Sequence, residues 1–148
     1  MPRRNTHIAI AAISGAAVAY LLAKRAGSSD LLPELLGGAL GAAATAMLPD
    51  IFEPATSPSH RAGAHSLAAG GLISLGLNSC VRFSEARRAD AESRRVLAAR
   101  STTSHERNGH QVREFLCRVA SGAAIGLPVG YLSHLAADAG TPRGLPLA

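Results

Sequence analysis

Four apolar runs alternate with polar segments, and their lengths and small-residue spacings predict helices. The first, Ile8 to Ala23, contains no charged residue and stops at Lys24–Arg25. As a helix rising about 1.5 Å per residue it spans roughly 24 Å, a little short of a bilayer core of about 30 Å. Bilayer thinning or snorkelling of flanking side chains absorbs such a mismatch. Gly27 to Asp30 reads as a turn, with Asp30 as the N-cap of the second helix. The second run, Leu31 to Leu48, carries Pro33 and Glu34 in its first turn, where proline is tolerated and a carboxylate meets the positive end of the helix dipole. Pro49–Asp50 is expected to stop it, and Pro54 and Pro58 mark a loop over 50–61. The third run is Gly63 to Val81, with His65, Ser66 and Asn78 as its polar members. The fourth is Phe115 to Ala137, with Pro128 inside it as an expected kink. The expected organisation is one domain with helices over 7–24, 31–48, 63–82 and 113–139, and a polar, basic insertion over 83–112.

Composition turns these helices towards lipid. Of 148 residues 47% are apolar but only 3% aromatic, with no Trp, an odd recipe for a water-soluble core. Gly37 and Gly41 are four apart, as are Gly122, Gly126 and Gly130. Such stripes let helix backbones approach closely, which is how helices associate in a membrane. The expected fold class is an all-α integral membrane bundle of about four short transmembrane helices plus a charged cytoplasmic helix or loop. A soluble helical bundle is the competing reading, because the runs are short and two contain histidine. The uncharged first and second runs, the glycine stripes and the missing aromatics decide for the membrane. Arg3 and Arg4 precede the first run as in a signal peptide. No small-residue cleavage site followed by a soluble domain appears, so the first helix is expected to stay. Cys80 and Cys117 lack metal-type spacing and read as small apolar residues.

Formal net charge is +5, and the charge is concentrated between Arg82 and Arg118, with nine arginines against five acids. Arg88/Glu92 and Asp90/Arg94 have the i,i+4 spacing of helical ion pairs, and Ser101 to Gln111 reads as polar and flexible. The positive-inside rule places this segment in the cytoplasm. It suits a solvated linker. It could also attract anionic headgroups as an interaction surface. No base-stacking aromatics accompany it, so no specific nucleic-acid binding is expected.

The chemistry emerges from topology. If all four runs cross, the start of the first helix, the end of the second, the start of the third and the end of the fourth share one face. His7, Asp50, Glu53, His60, His65, His134 and Asp138 all fall there, including four of the six histidines. His134 and Asp138, at i,i+4, project from one side of one helix. Imidazole and carboxylate donors suit zinc, manganese or iron. The expected metal ligands are His7, Asp50, His60, His65, His134 and Asp138, some of which would orient the ligating imidazoles or serve a second ion. Glu53 is a candidate general base or further ligand. Arg61 is a candidate clamp for an anionic substrate group or an interfacial anchor. Ser66 reads as a helix-start residue rather than a nucleophile. A site at headgroup depth points to a lipid or lipid-linked substrate. A closed structural metal site tying helix ends together is the non-enzymatic alternative.

The blocks Leu48–Pro49–Asp50, Glu53–Pro54, His60–Arg61 with His65–Ser66, and Gly130–Tyr131 with Ser133–His134, Asp138, Thr141–Pro142 and Gly144 resemble the YdjM family. These are bacterial inner-membrane proteins described as LexA-regulated, membrane-bound, metal-dependent hydrolases. The resemblance spans most of the chain and implies a multi-pass inner-membrane protein that carries out metal-assisted hydrolysis of a phosphoester or other ester. The commoner family pattern has a second Asp where this chain has Phe52, and Glu53 is the neighbouring carboxylate. The ligand order is also distantly similar to that of zinc-dependent phospholipases C and related nucleases. On the charge asymmetry, the site is expected on the periplasmic face.

Overall fold

The computed structural model describes residues 4–52, 64 and 66–139, and every regular element among them is helical. They are α1 (Arg4–Arg25), α2 (Leu32–Thr45), α3 (Leu48–Phe52), α4 (Leu67–Arg100) and α5 (Ser104–Ala139). The all-α bundle read from the sequence is therefore the observed architecture. α5 is its centre, packed against α1, α2 and α4, while α1 also packs on α2.

Glycine explains how closely these helices meet. Gly37 and Gly41 of α2 back onto Val119 and Ala123 of α5. Gly122, Gly126 and Gly130 back onto the Glu34, Gly38 and Ala42 backbone of α2. A Cβ at any of these positions would run into main-chain atoms. The two stripes read from the sequence are thus the two halves of one interface, with small residues allowing backbone contact.

Among the described residues, several large polar side chains are buried while many large apolar ones are exposed. The largest fully buried side chains are Arg118, His134, Glu34, Pro49, Ser84 and Ser121. Ile13, Leu21, Leu40, Leu72 and Leu75 point outward, the last at 79% exposure. Water would penalise that distribution, whereas hydrocarbon favours it. Three helical segments are long and apolar enough to cross a membrane: Asn5–Arg25, Leu32–Phe52 and Ser104–Ala139. The third expected span is not among them, because Asn78, Arg82 and several serines dilute the first half of α4. Packing nevertheless lays that half along α5. The Tyr131 hydroxyl, near the end of α5, donates to the Ala64 carbonyl at 2.6 Å, while Ser84 of α4 meets Ser121 of α5 at 2.8 Å. α4 therefore starts at the end of the bundle where α5 finishes, and runs antiparallel along it.

Two further details differ from expectation. Pro49 does not end the second helix. The helix breaks earlier, at Ala46–Met47, and Pro49 sits in the first turn of α3. A proline ring collides with the carbonyl four residues back and lacks an N–H, so α2 stops at Thr45. The fixed φ then suits the start of the next helix. The segment 101–111, read as flexible, is a short bend followed by the first turns of α5. α4 and α5 form a hairpin of 34 and 36 residues. At 1.5 Å per residue each arm is about 50 Å long, so its charged half projects well beyond a bilayer core of about 30 Å.

Candidate functional site

Each polar side chain at the α5 C-terminal end has a local reason for its place. His7 lies in the second turn of α1. Asp50 is set by the α2–α3 break. His134 and Asp138 share one face of α5. His134 is 1% exposed, Asp138 2% and His7 5%. The His134 Nε2 stands 3.6 Å from Asp50 Oδ1 and 3.5 Å from Asp138 Oδ2. The His7 and His134 rings stack with centroids 4.4 Å apart and planes inclined by 26°. The buried His7 Nδ1 has no hydrogen-bond partner among the described residues. Two imidazoles and two carboxylates from three helices thus converge in one largely dry corner.

Four of the eight residues singled out in the sequence are brought together here: His7, Asp50, His134 and Asp138. The other four, Glu53, His60, Arg61 and His65, lie outside the described residues, as do Thr141 and Gly144. Among the described residues, no group of three or more His, Cys, Asp or Glu side chains closes into a metal-holding arrangement. The four present nonetheless fit a divalent ion by donor chemistry: borderline nitrogen and hard oxygen, with one imidazole nitrogen unused. Ser66 caps α4, its hydroxyl accepting from the Ala69 N–H at 3.1 Å, as expected of a helix-start residue.

A second polar centre, at the opposite end of the bundle, escaped the sequence reading. Glu34 is fully buried in the first turn of α2. It accepts from Arg88 Nε at 2.6 Å, from Ser28 Oγ at 2.6 Å and from Ser121 Oγ at 3.1 Å. Arg118 is equally buried and donates to Ser28, Ser29, Glu92 and Glu114 at 2.7–2.9 Å. The turn between α1 and α2 supplies the two serines. Gly27, at φ 69°, closes α1 with Ser28 N–H on the Ala23 carbonyl and Gly27 N–H on that of Lys24. These are the paired bonds that end a helix in a left-handed residue. The anticipated Arg88/Glu92 pair is replaced by partners from other elements: Arg88 turns to Glu34, and Glu92 to Ser29 and Arg118. Asp90 pairs with Arg87 at 2.8 Å. The available signal was a guanidinium and a carboxylate at the edges of small-residue runs, which demand partners in an apolar slab.

Fold and site together define a multi-pass helical membrane protein with a titratable cluster at one end and a buried charge network at the other. More particularly, the chain belongs to the YdjM inner membrane protein family, whose model matches residues 1–148, its whole length. It is thus a multi-pass inner-membrane protein, and the bilayer is its surroundings. No curated protein and no solved structure matches it.

Proposed function

We propose that this chain is a membrane-bound, metal-dependent hydrolase acting on a phosphoester or other ester at the periplasmic face. The observation that carries the reading is the burial of His7, His134 and Asp138 beside Asp50, since titratable groups are expensive in an apolar interior and are kept there for use. His7, Asp50, His134 and Asp138 would hold the ion, joined by His60 and His65 from the segment before α4. Zinc is the first choice, with manganese or iron as alternatives. Once bound, such an ion supplies a water of near-neutral pKa and polarises a phosphoryl or acyl oxygen.

The chain's own residues do the rest. Asp50 and Asp138 flank the His134 Nε2 and fix the ring's direction. Glu53 provides a carboxylate to take up the proton of the attacking water. Arg61 presents a planar fork to the substrate's anionic group. The face assignment rests on charge. The far end carries Lys24, Arg25 and the nine arginines from Arg82 to Arg118, so it belongs in the cytoplasm.

The test is metal content by mass spectrometry on detergent-purified protein and on His134→Ala. Near-stoichiometric zinc, manganese or iron in the wild type and its loss in the variant is the expected outcome, followed by hydrolysis of phosphoester or lipid substrates. A folded wild type that takes up no metal after reloading would reduce the cluster to polar packing between helix ends and end the hydrolase reading.

A further inference from the structure

Two cavities on the lipid-facing side of the bundle share walls. One, of about 350 Å³, reaches from Gly76 and Cys80 of α4 past Leu127 to Tyr131 and Leu48. The other, of about 450 Å³, continues from Cys80 and Leu127 to Phe83 and Ala120. Because Cys80 and Leu127 line both, they form one groove between α4 and α5, closed at one end by the tail of α2. From Ala120 to Tyr131 along α5 the groove is roughly 16 Å long at 1.5 Å per residue. That is about half of a 30 Å hydrocarbon core, the depth of a single leaflet.

The position of its ends matters more than its size. Leu48 precedes Asp50 by two residues, and Tyr131 lies one turn before His134, so the upper end lies within about one helical turn of the titratable cluster. The lower end stops at Phe83 and Ala120, next to the Ser84–Ser121 hydrogen bond. The walls are hydrocarbon, and the floor is kept low by Gly76 and Ala120. A Cβ built on Gly76 meets nothing within 4 Å, so the space above it is open. Inside a bilayer that space cannot be left to water.

We propose that this groove seats an acyl chain of a phospholipid whose head group stands at the His7–Asp50–His134–Asp138 cluster. This deepens the hydrolase reading and rests on it: the substrate is a lipid of the same leaflet, entering sideways between α4 and α5 with its ester at headgroup level. The depth of one leaflet and an upper end within one helical turn of the cluster select a chain anchored at that face.

The experiment uses the full-length protein in vesicles of phosphatidylethanolamine and phosphatidylglycerol that contain a phospholipid with a photoactivatable diazirine in its acyl chain. Adducts are mapped by mass spectrometry after illumination. The expected result is labelling concentrated at Cys80, Leu127 and Tyr131, reduced several-fold by Gly76→Phe, which fills the groove, and unchanged by Leu75→Phe on the outward face of the same helix. Labelling spread evenly over outward residues such as Leu40 and Leu75, or indifferent to Gly76→Phe, would mean annular lipid only and overturn the proposal. Preference for an isoprenyl photoprobe over the acyl one would overturn the acyl-chain assignment. The metal content of the wild type separates the two readings. Retained groove labelling in a wild type that takes up no metal after reloading sinks the hydrolase but keeps the seat, whereas metal binding without groove labelling does the reverse.

Discussion

Glu92 has nearly half of its side chain exposed, yet its carboxylate is lowered from an ordinary 4.5 to about 2. The Ser29 hydroxyl is the main cause, followed by the hydrogen bond and charge of Arg118, with partial burial opposing them. A carboxylate lowered in the folded state contributes stability above its unfolded pKa and loses it as the pH falls through the folded one. Detergent-solubilised protein is therefore expected to lose thermal stability between pH 4.5 and about 2, and Glu92→Gln to flatten that stretch of the profile. Identical slopes for the two proteins would show that the Ser29–Glu92–Arg118 contacts do not hold the turn. At this scale the sequence was half legible. His134 and Asp138 announced themselves by i,i+4 spacing on an apolar helix. Arg118 did not, because its partners come from the α1–α2 turn, from α4 and from its own helix, and chain spacing encodes none of those meetings.

Among the elements, the α2–α5 contact was the most readable and is the least tolerant. Gly126→Leu would place a branched side chain against the Gly38 and Ala42 backbone. Overpacking of a side-chain core typically costs about 1–3 kcal/mol, and a rigid backbone neighbour leaves less room to relax. Gly126→Leu is expected to lower the thermal midpoint in detergent well below that of Gly71→Leu, whose Cβ would enter open space. Matched midpoints would mean that the helices part without penalty. Glycine spacing revealed each half of this interface, though not their pairing, because only a missing Cβ permits so close an approach. The α2–α3 break was misread by a few residues because proline acts on the carbonyl four positions earlier, not at its own position. The continuity of α4 was hidden for a different reason. Its periodicity is interrupted where lipid-facing positions give way to charged ones, while the backbone continues unbroken.

For the whole molecule, the proposed orientation is tested at the end that bears the arginines. A thiol placed by His105→Cys, in a background lacking Cys80 and Cys117, marks the hairpin tip. It is expected to resist membrane-impermeant maleimide in intact cells and to react after the inner membrane is opened. Reaction in intact, outer-membrane-permeabilised cells would invert the topology and move the titratable cluster to the cytoplasm. That the chain is a membrane bundle was legible from the uncharged runs, the glycine stripes and the missing aromatics. That its charged insertion is a continuous helical hairpin was not, since solvated helix and polar loop share the same residues.

The burial of Glu34 also bears on how the protein is made. Its carboxylate lies in the second helix, but Arg88 follows 54 residues later and Ser121 87 residues later. At about 5–20 residues per second, several seconds of synthesis separate the acid from its first cationic neighbour. Through that interval the nascent first pair of helices offers the carboxylate only the Ser28 hydroxyl of its own turn, water and headgroups. Arrival of α4 and α5 brings the two guanidiniums. The hairpin thus completes the charge balance of the bundle, and a chain cut short before Arg88 leaves the ribosome with its acid still lacking a cation.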